Sequence, residues 1–500
     1  MFMNLTLNFY AIIGEVFIIL NGLLLLIFGV IFSYQPKLGY IVLGEPIKKL
    51  VFQVLILTFI LLWNQIPIYS YIWNNFFLNT SFAYYSKILV LFVLNLWVLF
   101  TFNYTIKEKI ITYEYWILVL LNIVAIFLII QVNDLLSMYL TIEFQSLIFY
   151  ILASFKRNSE FSTESGLKYF ILGAFSSALL LIGCSLLYSI TGLTNFNDLA
   201  LFNIQIKLIS DSYIYNLIFF SLNFIFISFL FKLSVAPFHM WAPDVYEGAP
   251  SSITALFAVM PKLPILGLIL KYSLIIFYDF FNIWLYFIIF CIICSSFIGT
   301  FSAFLQVKWK RFIVFSSISH LSFFLIAIIS NNLVSISNLF IYLIIYLIMS
   351  IGFFALFTNL YIYKFPFYAQ IRFFKDLNFF ALLNPLLGIF FGIVLFSMAG
   401  VPPLAGFFAK FFVIASAIKN HLFVLVTFIL LCNCVSCFYY IRLIKLIYFD
   451  IKTEHNFLVI FPIEKTSSYI LGLCMILLIY FFLDIELVFL ISNLLSFGFF

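Results

Sequence analysis

Charged residues are scarce in this sequence. Only 9% of its 500 residues are Asp, Glu, Lys or Arg, whereas 66% are hydrophobic. Because a soluble globular protein carries about 25% charged residues, this composition predicts an integral membrane protein with almost no aqueous domain. The net charge of +6 does not call for a nucleic-acid partner, since most of the basic residues lie in short loops between hydrophobic runs.

Motifs for nucleotide binding and for nucleophilic catalysis are also missing. The sequence has no phosphate-binding loop, dinucleotide fingerprint or catalytic triad. Its seven cysteines include the pair Cys291 and Cys294 and the group Cys432, Cys434 and Cys437, which lie in apolar runs without acidic or histidine neighbours. We interpret these as small buried hydrophobic residues rather than as iron–sulfur ligands, and expect this chain to bind no metal or cofactor.

The N-terminus shows no targeting signal. The stretch MFMNLTLNFY contains no basic residue, so it resembles neither a signal peptide nor an Arg-rich transit peptide. Phe is over-used, at 71 residues, which is typical of an A+T-rich genome such as that of an organelle. We therefore expect an organelle-encoded protein of the mitochondrial inner membrane, with a bacterial plasma membrane as the alternative.

Long apolar runs dominate the chain. A membrane-spanning helix needs about 20 apolar residues, and this length predicts fourteen spans. Their predicted bounds are 11–33, 49–64, 87–105, 114–131, 133–155, 164–190, 214–242, 251–273, 280–305, 312–330, 334–361, 385–416, 418–448 and 466–494. The predicted fold is an all-α polytopic membrane protein, and the spans keep these numbers, 1 to 14, below.

Basic residues are unevenly distributed among the thirteen loops between these spans. Odd-numbered loops hold 18 of the 25 Lys and Arg residues, and even-numbered loops hold four, namely Lys87, Lys207, Lys271 and Lys419. Since loops on the matrix or cytoplasmic side are enriched in Lys and Arg, the odd loops are predicted to face that side and both termini the other. A wrong number of spans would scramble this alternation, so the asymmetry supports fourteen.

The three remaining lysines lie within spans 7, 8 and 12. They are Lys232, Lys262 and Lys410, and a lysine near the bilayer centre costs roughly 2.5–3.5 kcal/mol. Pro237 follows Lys232, and a pair of prolines precedes Lys410, so spans 7 and 12 are predicted to be broken helices. Spans 4–8 and 9–13 would then be two inverted five-helix repeats. A lysine that snorkels from a helix end is the alternative for Lys232.

Two further ionisable residues lie at membrane depth. Glu143 is near the middle of span 5, and a carboxylate at that depth usually has a basic partner, for which Lys232 is the candidate. The alternative is a protonated acid that holds helices together by hydrogen bonds. His320 in span 10 can relay protons because imidazole titrates near neutral pH, or it can be a neutral ring bonded across helices.

Four other acidic residues receive simpler interpretations. Glu15 in span 1 has no evident partner and is assigned no role. Asp134 is interpreted as a helix-start residue of span 5. Asp244 and Glu247, in the short connection between spans 7 and 8, are interpreted as loop and cap residues.

Several long strings of this sequence resemble one known family. FKLSVAPFHMWAPDVYEGAP, followed by VMPKLPILGLILK, resembles the antiporter-like membrane subunits of respiratory complex I, and PDVYEGAP is closest to the subunit 2 branch, whose bacterial counterpart is subunit N. NDLLSMYLTIEFQSLIFYIL, WKRFIVFSSISHLSF, FSMAGVPPLAGFFAKFFV and FYYIRLIKLIYFD match in the same order. The resemblance covers residues 110–450. Animal members lack the first three spans, so this chain resembles a plant, protist or bacterial form.

The resemblance implies a row of charged residues along the mid-membrane plane. It assigns Glu143 as the ion-pair acid, Lys232 as the adjacent lysine, Lys262 as the central lysine and Lys410 as the distal lysine, and it places His320 between the last two. It also implies four parts of the chain: an N-terminal three-helix segment (1–110), a first repeat (111–273), a second inverted repeat (274–450) and a C-terminal helix 14 (451–500).

The function that the resemblance implies is proton translocation in the membrane arm of NADH:ubiquinone oxidoreductase, through the mid-membrane chain of Glu, Lys and His. The chain itself is expected to bind none of the redox cofactors, so NADH, FMN, iron–sulfur clusters and ubiquinone are expected in other subunits. Its expected partners are the other membrane-arm subunits and lipids. The alternatives are a stand-alone Na⁺/H⁺ antiporter and a structural subunit that does not pump.

Overall fold

The computed structural model describes residues 8–35, 39–40, 43–110, 112–209, 212–364, 367–378, 380–449 and 464–499, which are mostly helical. In these ranges thirteen helices are long and apolar enough to cross a membrane. They are Ile13–Phe32, Gly44–Trp63, Ser81–Lys107, Glu114–Gln131, Leu135–Ala153, Glu160–Thr191, Tyr215–Leu233, Ser251–Ile276, Phe281–Leu305, Trp309–Ile329, Leu333–Asn359, Phe423–Tyr448 and Lys465–Leu483. They correspond in order to predicted spans 1–11, 13 and 14, and confirm the all-α polytopic fold.

Span 12 consists of two shorter helices, Pro385–Ala399 and Ala405–Lys419. The first ends at Gly400, which has a left-handed backbone (φ +86°) that glycine adopts without a steric penalty. The two helices then pass so close that a Cβ at Gly406 would lie 1.7 Å from the Ser397 carbonyl oxygen. Glycine is therefore required at the crossing that positions Lys410.

Spans 7 and 8 also contain interruptions. The helix of span 7, Ser212–Leu233, ends one residue after Lys232, and a short helix, Trp241–Gly248, follows the turn. Pro237 lies in this turn and has no backbone N–H to continue a helix. Span 8 is divided into Ser251–Val259, Lys262–Leu270 and a π-helix, Lys271–Ile276. The break in span 8, which the sequence analysis did not predict, makes Lys262 the first residue of its second helix.

The remaining elements are short connections between spans. Helical connections are Phe196–Ile209, Phe374–Leu377 and Phe380–Leu383. Predicted span 14 (466–494) ends earlier than expected, at Leu483, and a separate short helix, Glu486–Phe497, follows it. Three antiparallel hairpins pair Tyr34–Gln35 with Gly39–Tyr40, Ser70–Ile72 with Phe77–Asn79, and Tyr361–Lys364 with Phe367–Gln370. These elements are too short to span a membrane, but some of their side chains, such as Phe77, Leu199 and Leu495, are buried in the core.

Burial separates inner from outer spans. Span 8 is entirely buried, and spans 10 and 11 are nearly so, whereas spans 1, 6 and 14 expose much of their surface. The exposed side chains of the outer spans are apolar, as with Leu24, Phe175 and Tyr469, which suits hydrocarbon. Lys262 and His320 therefore lie on the most enclosed helices, while the inverted relation of the repeats and the four-part division of the chain stay predictions.

Membrane orientation can be tested directly. Because of the uneven distribution of basic residues, we expect tags at both termini to be accessible from the intermembrane space, or from the periplasm in a bacterium. A tag placed in the loop between spans 3 and 4, beside Lys107 and Lys109, should be accessible only from the opposite side. A terminus that is reached only from the matrix would contradict both the orientation and the number of spans.

Candidate functional site

The central lysine is bonded to a tyrosine of span 11. Lys262 is 3% exposed, and its Nζ donates a hydrogen bond to the Tyr346 hydroxyl at 2.5 Å. The same Nζ lies 3.9 Å from the centroid of the Tyr346 ring, so the ring face also stabilises the cation. No carboxylate forms an ion pair with Lys262 in the described part of the chain, and Tyr346 is its polar partner.

His320 connects the same region to spans 11 and 13. Its Nδ1 lies 2.7 Å from the Tyr342 hydroxyl, and its Nε2 lies 3.4 Å from the Tyr440 hydroxyl. The His320 ring is also 5.6 Å from the Tyr346 ring, centroid to centroid. Since Tyr342 and Tyr346 are four residues apart, they lie on one face of span 11. They bring His320 and Lys262 together although the two residues are on different spans.

Lys410 lies where the two helices of span 12 cross. Its Nζ donates to the carbonyl oxygens of Met398 at 3.0 Å and Ala399 at 2.9 Å, and to Asn433 Oδ1 at 2.7 Å. The two carbonyls end the first helix, whose C-terminus carries a partial negative charge. The break in span 12 therefore supplies the acceptors that a buried ammonium group needs.

His320 and Lys410 line the same small cavity. Its volume is about 10 Å³, roughly the space that one water molecule needs. Its polar lining residues, besides His320 and Lys410, are Ser296, Thr300, Ser319, Ser322, Asn433, Ser436 and Tyr440. A water molecule here would have the two to four polar partners that a buried water requires, among them Tyr440, which contacts His320, and Asn433, which contacts Lys410.

Glu143 and Lys232 are near one another without a direct hydrogen bond. Lys232 is 9% exposed, Glu143 is half-buried, and the Glu143 carboxylate is close enough to interact electrostatically with the Lys232 ammonium group. Within the described ranges, however, Lys232 Nζ and Glu143 Oε1 have no hydrogen-bond partner, while Glu143 Oε2 accepts from Ser146 at 3.2 Å. The predicted ion pair therefore stays a prediction. His239, in the turn after Lys232, is also buried with an unpartnered Nδ1.

The connection between spans 7 and 8 is more than a loop. Asp244 and Glu247 lie in the helix Trp241–Gly248, so their interpretation as loop and cap residues was wrong. Glu247 forms ion pairs with Lys308 and Arg311 at the start of span 10, and Asp244 pairs with Arg311 at 3.0 Å. These contacts tie the broken span 7 to the span that carries His320. Asp134, in contrast, caps span 5 as predicted by accepting from the Leu136 N–H at 2.8 Å.

Sequence reasoning missed the hydroxyl and amide partners of the buried lysines and histidine. The signal for Tyr342 and Tyr346 is a spacing of four residues in an otherwise apolar span, and Asn433 is an amide within span 13. It also missed the partner of Glu15, which forms a buried ion pair with Lys87 at 2.5 Å. Lys87 had been assigned to a loop because span 3 was predicted to begin at residue 87, whereas its helix begins at Ser81.

The cysteines do not form a metal centre in the described residues. Cys291 and Cys432 are buried, Cys294 and Cys437 are half-buried, and Cys434 is exposed. The interpretation as buried hydrophobic residues therefore holds for only part of the group. No set of three His, Cys, Asp or Glu side chains there comes together as metal ligands.

Comparison with known proteins identifies the family. Residues 132–436 match the family described as NADH:quinone oxidoreductase/Mrp antiporter, TM. The chain is 37% identical to NADH-ubiquinone oxidoreductase chain 2 of Marchantia polymorpha, over 97% of this chain and 98% of the relative. It is 35% identical to NADH-quinone oxidoreductase subunit N of Paramagnetospirillum magneticum, over 90% of each.

Solved structures show the same fold at lower identity. A chain of respiratory complex I from Thermus thermophilus aligns with a TM-score of 0.77 at 22% identity, over 95% of this chain and 98% of that one. A chain of the Mrp complex from Dietzia aligns with a TM-score of 0.80 at 16% identity, over 98% and 97%. This chain therefore belongs to the NADH:quinone oxidoreductase/Mrp antiporter membrane family, with the chain 2 and subunit N proteins among its relatives.

Proposed function

We propose that this chain is a proton-translocating membrane-arm subunit of NADH:ubiquinone oxidoreductase. The observation that carries the proposal is the buried row formed by Lys262, His320 and Lys410, which three spans hold in one polar region. Ionisable residues at membrane depth are costly and mark ion or proton pathways. The names of its relatives, chain 2 and subunit N of NADH:quinone oxidoreductases, support the assignment to that complex.

Protons would move along this row in short steps. Lys262 Nζ contacts the Tyr346 hydroxyl at 2.5 Å. A proton that passes from this ammonium group to the hydroxyl oxygen would do so only as the hydroxyl's own O–H bond breaks and that proton moves on towards His320. The Tyr342 and Tyr440 hydroxyls contact the two nitrogens of His320, so the imidazole can accept on one side and donate on the other. The cavity then leads to Lys410. Glu143 and Lys232 form the opposite end, where the Glu143 charge acts on Lys232.

The energy for these steps would come from outside this chain. We assign NADH, FMN, iron–sulfur clusters and ubiquinone to other subunits of the complex, since the sequence contains no motif for them. The partners are the other membrane-arm subunits, and the outer spans with apolar surfaces are available to them and to lipids. The membrane is the mitochondrial inner membrane, as the plant chain 2 relatives support.

Substitutions at Lys262 and Tyr346 test this function. We expect Lys262→Met to abolish proton pumping by the assembled complex through this subunit. Tyr346→Phe should slow pumping by about tenfold, because a hydrogen bond to a charged group contributes about 1.5 kcal/mol or more. The measurement is NADH:quinone turnover and proton translocation in membranes, at matched levels of assembled complex.

Matched controls are available in the chain. Lys49→Met and Tyr278→Phe change exposed residues of the same types and should leave pumping unchanged. Normal pumping by an assembled Lys262→Met complex would contradict the proposal and favour a structural subunit that does not pump.

A stand-alone Na⁺/H⁺ antiporter is the second candidate. The specific observation in its favour is the alignment with a chain of the Mrp complex at a TM-score of 0.80, which shows a common fold. Purified chain in sodium-loaded vesicles separates the two functions. Sodium flux that depends on a pH gradient, without any partner subunit, would favour the antiporter over the proposed function.

A further inference from the structure

The first three spans carry a buried ion pair outside the row described above. Glu15 of span 1 is 1% exposed and Lys87 of span 3 is 2% exposed, and their charged atoms are 2.5 Å apart. Gln131, the last residue of span 4, joins them when its amide is oriented to satisfy both partners. It then donates to Glu15 Oε1 at 3.1 Å and accepts from Lys87 Nζ at 2.6 Å.

A second lysine lies at the same end of span 4. Lys271 is 6% exposed, and its Nζ donates to the carbonyl oxygens of Ile130 at 2.7 Å and Val132 at 3.1 Å. These carbonyls flank Gln131 at the C-terminus of the helix, which favours cations. Glu15, Lys87, Gln131 and Lys271 thus form one group at the even-loop side of the bundle, which we call the outer cluster.

Unpartnered amides lie deeper between the same spans. Asn122 of span 4 is completely buried, and neither its oxygen nor its nitrogen has a hydrogen-bond partner in the described structure. Asn95 of span 3 is half-buried, and its Oδ1 is a buried atom without a partner in the same ranges. Asn122 is nine residues before Gln131, and Asn95 is eight residues after Lys87. At 1.5 Å per residue, both lie about 12–14 Å inward of the outer cluster.

Lys262 lies at that same depth. It is nine residues before Lys271 in span 8, and this part of span 8 packs directly against span 4, which also contacts spans 1 and 3. Lys262 of span 8 therefore lies beside span 4 at the level of Asn122. The outer cluster lies at the C-terminal end of span 4. Polar atoms that are buried without a partner are costly, so these amides indicate a place where water or a proton carrier is bound.

We propose that the outer cluster is a proton-release station, reached from the level of Lys262 past Asn122 and leading to the even-loop side. A proton that arrives there binds a Glu15 carboxylate oxygen, and the O–H formed breaks when the proton passes to water on the outer side. Lys87 keeps its charge throughout and holds the carboxylate between protons. Glu15 Oε2, which is buried and has no partner in the described ranges, is the oxygen available to accept it.

The competing explanation is that the Glu15–Lys87 pair has a purely structural role. The effect of replacing both residues distinguishes a structural role from proton release. Replacing both members of a buried ion pair by uncharged residues of similar volume is often neutral or stabilising, whereas removing one member is strongly destabilising. A structural ion pair can therefore be replaced as a unit without loss of function. A proton-release station cannot be replaced in this way, because the double substitution removes the Glu15 carboxylate that binds the proton.

The test uses the double variant Glu15→Gln with Lys87→Met in the whole complex. We expect it to assemble better than either single variant, and to translocate protons at least threefold more slowly per assembled complex. Asn122→Leu, which leaves the ion pair intact, should lower translocation in the same way. Normal translocation by the assembled double variant would overturn the proposal, and so would normal translocation by Asn122→Leu.

Two comparisons complete the design. Lys48→Met removes another buried lysine of the N-terminal segment, which donates to the Phe102 carbonyl at 2.8 Å near the opposite end of span 3, and should not change translocation per assembled complex. The inference rests on the proposed function, so Glu143→Gln is measured in the same membranes. If Glu143→Gln also translocates normally, the proposed function fails. If only the Glu15, Lys87 and Asn122 variants are normal, the release station alone fails.

Discussion

Glu143→Gln and Lys232→Met are each expected to stop proton translocation through this subunit. Lys232 is buried without a hydrogen-bond partner in the described residues, and Glu143 is the acid that acts on it. Removing one member of a buried charge pair costs about 3–5 kcal/mol, because the other charge stays behind without its partner. The remaining residue then lacks its partner, so charge transfer between the two residues cannot take place.

The double variant is the sharper experiment for these two residues. Glu143→Gln with Lys232→Met should lose no more activity than about one single variant does, because two residues that act as a unit are not additive. The measurement is NADH:quinone turnover with proton uptake in membranes, at equal amounts of assembled complex. Tight coupling should make quinone reduction fall together with translocation.

Controls for this pair come from exposed residues of the same types at helix ends. Glu114→Gln and Lys419→Met should leave turnover and translocation unchanged. Strictly additive losses in the double variant would show that Glu143 and Lys232 work independently, and the proposed pair would then be wrong.

Hydrophobicity alone predicted the thirteen spanning helices of the described residues, though not all of their ends, and span 12 consists of two shorter helices. A run of about 20 apolar residues forms a spanning α-helix in a bilayer, since every backbone N–H and C=O group must be hydrogen-bonded within the segment. The same reasoning found Lys262, because a lysine in the middle of such a run stands out. It did not find the break before Lys262, although Pro261 lies in the interior of predicted span 8 (251–273), where a proline kinks or breaks a helix.

The partners of the buried charges could not be predicted in the same way. Tyr346 is 84 residues from Lys262, and Tyr342 is 22 residues from His320, so only the packing of span 11 shows which hydroxyl serves which charge. Tyrosine also occurs in apolar spans where its hydroxyl does not contact a charged residue, so its presence alone does not identify a partner. The Glu15–Lys87 pair was missed for a different reason, because a helix that begins six residues earlier than predicted moves Lys87 from a loop into the membrane.

The break in span 12 gives Lys410 an environment that differs from that of Lys262. Its ammonium group is bonded to two carbonyl oxygens at the end of a helix and to Asn433, and it lines the cavity beside His320. Lys410 can therefore receive a proton from the row. Its protonated form is stabilised by hydrogen bonds to the two carbonyl oxygens and the Asn433 amide oxygen, none of which accepts the proton itself. This arrangement is suited to the exchange of protons with one aqueous side at the Lys410 end of the row.

Lys410→Met should accordingly impair proton translocation more than assembly. We expect translocation per assembled complex to fall at least tenfold, because methionine fills the volume of the lysine stem but carries no proton, while the three acceptors are left next to a cavity that can hold water. Asn433→Leu removes one acceptor and should cause a smaller loss. Lys419→Met, nine residues later on the same helix and exposed, is the matched control and should pump normally. An assembled Lys410→Met complex that pumps at the normal rate would show that Lys410 is a packing or snorkelling residue, and the row would then end at His320.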